Sequence, residues 1–338
     1  MLFVSCTKKS QDSSQGPQQE LNLAIWGNYL SPELQEKFTK ETGIKINISN
    51  YSSNEELLAK VQTGGAGIDV AVPSDYMVEI MTKMDLLEPL KTEQIPNKSL
   101  VNPQFLKQAF DPENKYSLPY IWTTAGIAVN REIYKGPMKS WKDLLDNPAL
   151  KGKFALLDDV RETTGAALKM LGYSVNTTNP EELKKAKEVL LKAKKNVKMF
   201  TSDTIDILNN KEVVAAQTYS SDALQAAAKE PGKIEYVIPD EGATWAIDNL
   251  VIIKGAKHSE AATKLINFLL SQESELNKVK TILGGPVLKD TQSKLPRDLQ
   301  NNKALFPDAS VMMKLESVKD VGSQLKVYED IWTAVKTN

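Results

Sequence analysis

An α/β fold divided between two lobes is predicted by the order of apolar runs along the chain. Residues 21–72 read as strand, helix, strand, helix, strand, the pattern of a parallel sheet with crossover helices. A second such series begins near Ser140, and two long extended runs have the length to cross between the lobes. With 338 residues, of which 41% are hydrophobic, the chain can fill two cores.

The first strand is Leu21 to Trp26. Ser31, Pro32 and Glu33 then supply an N-cap, a first-turn proline and a first-turn acid for a helix that stops at Gly43. Ile44 to Ile48 alternates as a second strand, Ser53-Asn54-Glu55-Glu56 opens a helix closed by Gly64-Gly65, and Asp69 to Val72 is a third strand. Residues 91–115 read as loop. Ser117 to Trp122 and Ala125 to Asn130 are extended and make the first crossing. Beyond it come a helix capped at Ser140, an apolar strand ending at Leu157, a helix entered through Asp159 and a lysine-rich helix from Pro180 to Lys195 with a solvated face. A helix from Asp203, a strand from Val213 to Thr218 and a short strand from Glu235 to Ile238 lead to Trp245–Ile253, the second crossing. Helices capped at Ser259 and Ser271 and an amphipathic stretch from Gly322 to Val335 complete the chain.

The formal net charge of -1, from 42 basic and 43 acidic residues, gives no electrostatic basis for a nucleic-acid partner. One cysteine and one histidine leave no disulfide framework and no Cys/His metal site, and His258 lies in a polar link rather than in a catalytic setting. No cofactor, metal or enzymatic role is expected. Cys6 follows the apolar Leu2-Phe3-Val4-Ser5 and precedes a polar run, an arrangement that resembles a bacterial lipobox with Cys6 lipidated. Residues 1–5 then read as a residual signal segment too short to be complete, and 6–19 as a flexible tether. No membrane-spanning run follows, so membrane contact is expected only through a lipid anchor.

Function is concentrated where strands hand over to helices. In Asp158-Asp159-Val160-Arg161-Glu162, Asp159 and Glu162 form a capping-box pattern and also place carboxylates at a strand's carboxyl end, where open α/β sheets bind ligands. The other strand ends repeat the theme with Trp26 and Tyr29, with Ser74, Asp75 and Tyr76, with Tyr219 and Asp222, and with Trp245 and Asp248. Aromatic faces contribute about 0.5–2 kcal/mol each to binding an alkylammonium, and carboxylates add charge-assisted hydrogen bonds. The combination describes a pocket for an organic cation.

Ordered motifs along nearly the whole chain carry a resemblance. Phe38-Thr39-Lys40-Glu41-Thr42-Gly43, Tyr51-Ser52-Ser53-Asn54-Glu55, Pro119-Tyr120-Ile121-Trp122, Asp158-Asp159-Val160-Arg161-Glu162, Leu171-Gly172-Tyr173-Ser174 and Leu305-Phe306-Pro307-Asp308-Ala309 together resemble the spermidine/putrescine-binding proteins of bacterial polyamine ABC importers. The resemblance implies a type II periplasmic-binding-protein fold, each lobe a mixed sheet flanked by helices, hinged by two crossing segments. Lobe 1 would comprise 20–123 with 247–293, and lobe 2 124–246 with 294–338. It implies that a monomer captures spermidine or putrescine between closing lobes, outside the cytoplasm, and delivers it to a permease and its ATPase.

Carried over by position, Trp26 and Tyr29 would wall the site beside Ser74 and Tyr76, while Asp159, Glu162 and Asp248 would bind amino groups. Tyr219 stands at a family tryptophan, and Asp222 at a position that is serine in spermidine-preferring members and aspartate in putrescine-preferring ones. Ala246 replaces a family aromatic, with Trp245 one place earlier, Gly285 replaces a tyrosine, Val318 a glutamine and Asn28 an acid. Asp75 stands where a small polar residue is usual. The alternatives are a different organic cation in this thinner clamp, or a two-lobed hydrolase using Asp159 and Glu162 as acid and base.

Overall fold

The computed structural model describes residues 19–63 and 67–337, so the expected signal segment, most of the tether, Cys6 and the Gly64-Gly65 helix end lie outside the described residues. Strand β1 (Glu20–Trp26) pairs in parallel with β2 (Lys45–Tyr51) and with β3 (Val70–Ala71). Helix α1 (Pro32–Thr42) joins β1 to β2; the Ser31 side chain caps it and Gly43, at φ 72°, ends it in the left-handed region that glycine adopts without strain. Helix α2 (Asn54–Gln62), capped by Ser53, leads to β3, and α3 (Asp75–Lys83) follows. This is the predicted crossover series.

After the short β4 (Leu87–Glu88) comes β5, which runs unbroken from Ser117 to Asn130. The second series contains α4 (Trp141–Leu145), β6 (Phe154–Leu156), α5 (Val160–Met170), α6 (Pro180–Lys194) and β7 (Met199–Phe200). It continues through α7 (Thr204–Asn209), β8 (Ala215–Tyr219), α8 (Ser220–Lys229) and β9 (Ile234–Val237). Then β10 (Thr244–Ile253) returns to the first half, where α9 (Ser259–Leu269) and α10 (Gln272–Thr281) pack. A two-residue β11 (Glu316–Ser317) pairs with β10, and the chain closes on a helix, Leu325–Thr337, packed against α5 and α6.

The strands follow one path, β2-β1-β3-β10-β5-β8-β6-β7, with β4, β9 and β11 beside it. The length of β5 explains why the two mixed sheets are continuous: its first part pairs with β10, and Ala125 to Asn130 pairs with β8 and β9. Apolar clusters sit on either side of this junction. One contains Leu23, Phe38, Leu265 and Leu250, the other Val129, Trp141, Phe154 and Leu315. Leu295 and Leu305 pack with Val279 of α10 and against Leu224 of α8, so this segment touches both halves.

Ser259 is the first residue of α9 rather than its cap. His258 precedes it, half-exposed, with its backbone N–H donating to the buried Asp69 carboxylate (3.0 Å) and its ring Nδ1 2.9 Å from the same group. Among the described residues no helix is long and apolar enough to cross a membrane.

Candidate functional site

A cleft of about 620 Å³ opens where the carboxyl ends of β1, β2, β8 and the middle of β10 meet the first turns of α2, α3, α5 and α8. Helix N-termini carry the positive end of the backbone dipole and so favour carboxylates. Trp26, Tyr29, Ser74, Tyr76, Asp159, Glu162, Tyr219, Asp222 and Asp248 all line this cleft. The strand-end crests therefore converge.

The aromatic wall is built on β1 and β2. The Trp26 ring lies 6.4 Å from that of Tyr29 and 4.7 Å from that of Tyr51, and both the Trp26 indole N–H and the Tyr51 hydroxyl donate to the Val72 carbonyl (2.9 and 2.6 Å). These bonds at the end of β3 fix the rings without using the ring faces.

The acids are held individually. Asp159 caps α5, accepting from the backbone N–H groups of Arg161 (2.9 Å) and Glu162 (3.0 Å). The other half of the predicted capping box does not form: the Glu162 carboxylate accepts instead from the Thr244 hydroxyl on β10 at 2.5 Å. Asp248 accepts from the Ser74 hydroxyl at 2.7 Å, which is in turn 3.1 Å from the Asn54 amide nitrogen. Burial pushes Glu162 up to about 8, the charge of Asp159 adding to the effect, and pushes Asp248 up to about 7. Asp222 is pushed to about 7 by burial and then by Asp203, and Asp159 is raised by burial against the opposing pull of its capped amides.

The charged neighbours that shift these groups are carboxylates and Arg161, with no lysine among them. Among the described residues Arg161 is the one cation in the lining, and its hydrogen bonds go elsewhere: it donates to the Lys319 carbonyl (2.8 Å) and the Asn176 side chain (3.1 Å) and stacks 4.7 Å from the Tyr328 ring centre. Asp158, by contrast, is exposed and paired with Lys336 at 2.9 Å. Among the described residues no cluster of His, Cys, Asp or Glu is arranged to hold a metal ion.

Asp75 and Trp245 do not line the cleft. The Asp75 carboxyl, buried and pushed up to about 6 by that burial, accepts from the Ser317 hydroxyl of β11 and from the Tyr76 N–H. Trp245 follows from strand alternation: Thr244, Ala246 and Asp248 point to the cleft side, so Trp245 and Ile247 point away, and Trp245 packs against the apolar clusters of both halves. It therefore cannot stand in for the aromatic absent at Ala246. At Gly285 a side chain is excluded, because an added Cβ would meet the Trp122 indole at 2.1 Å.

Residues that sequence reading passed over are Tyr51, Asn54, Glu55, Thr123 and Thr244. Ser53 to Glu55 read there as the opening of a helix, which they also are, whereas Tyr51 lay beyond the predicted second strand and is the last residue of β2.

The sequence pattern of the bacterial extracellular solute-binding proteins matches residues 33–307. The chain belongs to this family. The spermidine/putrescine-binding periplasmic protein of Salmonella typhimurium is 39% identical over 316 residues, covering 92% of this chain and 90% of that one. The putrescine/cadaverine-binding protein of Pseudomonas aeruginosa is 34% identical over 332 residues, with 94% of each chain covered. Among solved structures, the spermidine/putrescine ABC transporter substrate-binding protein PotD of Streptococcus pneumoniae superposes with a TM-score of 0.80 at 33% identity, covering 94% of this chain and 98% of that one. The Tp0655 (TpPotD) lipoprotein of Treponema pallidum does so with 0.83 at 28%, covering 94% and 99%. As a family member the chain is an extracytoplasmic solute-binding protein of the two-lobed type, and its cleft is the place to look for the solute.

Proposed function

We propose that this solute-binding protein captures a polyamine of the spermidine or putrescine class in the cleft and delivers it to the permease and ATPase of an ABC importer. The observation that carries the reading is the set of carboxylates Asp159, Glu162, Asp222 and Asp248, gathered beside an aromatic wall, with no lysine acting on them and with the hydrogen bonds of Arg161 directed elsewhere. Burying such groups together is costly, and a protonated amine offsets that cost by charge-assisted hydrogen bonds. The methylenes between the amines lie on Trp26, Tyr29 and Tyr219. The names of the Salmonella, Pseudomonas and Streptococcus relatives support the same solute class.

Residues 20–123 with 247–293 and 124–246 with 294–338 act as the two closing lobes, hinged at β5 and β10. The protein works as a monomer, performs no catalysis and is attached to the membrane through lipidated Cys6; the lipoprotein name of the Treponema relative supports the anchor. A thermal-shift panel of diamines, polyamines, amino acids and sugars tests the solute class, since a ligand at about 100 times its Kd stabilises by about 2.7 kcal/mol. A shift with spermidine or putrescine and none with sugars is the expected result. A shift confined to uncharged solutes, or turnover of any panel member, overturns the proposal.

A further inference from the structure

Glu55 has no assigned role, yet its surroundings are not those of a surface helix acid. It stands in the first turn of α2, half-buried, and its Oε1 accepts from the Tyr76 hydroxyl at 2.9 Å. Tyr76 lines the cleft from the start of α3. The charged groups that act on Glu55 from the facing element are Asp159 and Arg161, at the start of α5. On its own helix the neighbouring Glu56 is committed elsewhere, to Lys60 (2.8 Å) and to the Ser52 backbone N–H (2.8 Å). Toward β2, the Tyr51 hydroxyl is committed to the Val72 carbonyl. Glu55 thus has a tyrosine, a like charge and a guanidinium engaged elsewhere as its partners.

We infer that Glu55 is a positioning residue of the cation site, which orients the Tyr76 ring against the ligand and adds a negative charge opposite Asp159 that an incoming ammonium group holds in its ionised form. This inference rests on the polyamine reading and deepens it. Burial and the Asp159 charge push Glu55 up to about 7. Near neutral pH the free protein therefore carries a proton there part of the time, and a bound cation, by lowering that pKa, expels it. Binding becomes linked to proton release through a residue that need not touch the solute. The tyrosine bond makes the link directional: a Glu55 that is ionised holds the hydroxyl donor, fixing the ring edge at the cleft wall.

The test uses Glu55→Gln, which keeps the Tyr76 acceptor and removes only the charge. Putrescine and spermidine are titrated calorimetrically into the wild type and the variant at pH 8, pH 7 and pH 5.5, with the pH 8 and pH 7 runs repeated in two buffers of different ionisation enthalpy. A ligand-induced drop of about one pKa unit at Glu55 corresponds to about tenfold weaker binding in the variant at pH 8, shrinking to within about twofold at pH 5.5, where Glu55 is protonated in both states. Fewer protons are released per ligand by the variant at pH 7. Equal affinities at both pH values, or an equal loss at both with proton release unchanged, overturns the inference. Tyr76→Phe serves as a second variant, expected to lose affinity and to leave Glu55 releasing its proton; a release as low as that of Glu55→Gln contradicts the assigned division of roles. If the wild type itself binds neither amine, the polyamine reading fails, which is distinct from a wild type that binds and a variant that matches it.

Discussion

Glu275 and the cleft acids are two sets of buried carboxylates in this fold that differ in whether the chain supplies a lysine to pair with them. Glu275 on α10 is fully buried and paired at 2.8 Å with an equally buried Lys278 one turn on. Its second oxygen accepts from the backbone N–H groups of Val287 and Leu288 (2.5 and 2.9 Å), and Lys278 donates to the Tyr120 carbonyl at 2.8 Å while lying 4.2 Å from the Tyr120 ring centre. Asp159, Glu162, Asp222 and Asp248 have hydroxyls and amides around them and no lysine acting on them; the Arg161 charge acts on Asp159 and Glu162, but its hydrogen bonds go elsewhere. Burial of an acid therefore does not by itself mark a ligand site. What marks it is burial at the cleft with no lysine partner from the chain, since Asp75 and Asp111 are buried without a cation and do not line the cleft.

The strongest way to break this comparison is to disturb the paired set. Lys278→Met leaves Glu275 uncompensated and is expected to destabilise the protein by about 3–5 kcal/mol in denaturant unfolding. Adding Glu275→Gln to it should recover part of the loss. If Lys278→Met is neutral, buried pairing is not what separates the two sets.

Next in size are the unpaired acids. Glu162→Gln and Asp248→Asn are each expected to weaken polyamine binding by about 2–5 kcal/mol in a titration, with no fall in the ligand-free melting temperature. Asp159→Asn is sharper still as a test of role, because asparagine also caps helices. It should keep α5 folded by circular dichroism and yet bind at least about tenfold more weakly. A lower melting temperature with unchanged affinity would return Asp159 to a purely structural role.

A smaller effect follows from pH. Acids whose folded pKa lies above the unfolded value bind more protons when folded, so stability falls as pH rises through the folded pKa. With Glu162 at about 8, Glu55, Asp222 and Asp248 at about 7 and Asp75 at about 6, ligand-free stability should increase from pH 8 down toward pH 5. Ligand affinity should change in the opposite direction, since a polyamine favours the ionised acids. Melting temperatures flat across that range would contradict the electrostatic account. The smallest expected effect is that of Asp75→Asn, which should leave affinity within about threefold because the Asp75 carboxyl faces Ser317 and not the cleft.

Most of the architecture was legible because apolar periodicity and caps agree locally: Ser31, Ser53, Ser140 and Ser271 cap where the pattern placed them, and the crossover series of β1 to β3 follows. The convergence of the strand ends was legible too, because the carboxyl ends of parallel strands must share one edge. The phase of β10 was not. From Trp245 to Ile253 the strand is apolar on both faces apart from Asp248 and Asn249, so alternation gave no sign that Trp245 points away from the cleft and Thr244 toward Glu162. The short β11 escaped notice for want of any pattern in two residues, and with it the partner of Asp75. Glu55 was hidden by a true but incomplete reading, since a first-turn acid suits any helix. Only the fold brings it against Tyr76.

The central claim, that the cleft acids await a cation from outside the chain, is tested most directly by titrating putrescine and spermidine into the wild-type protein at pH 7 in buffers of different ionisation enthalpy. Saturable binding of at least one of them, with net release of protons, is the expected result. Binding without proton exchange, or no binding of either amine, would contradict it.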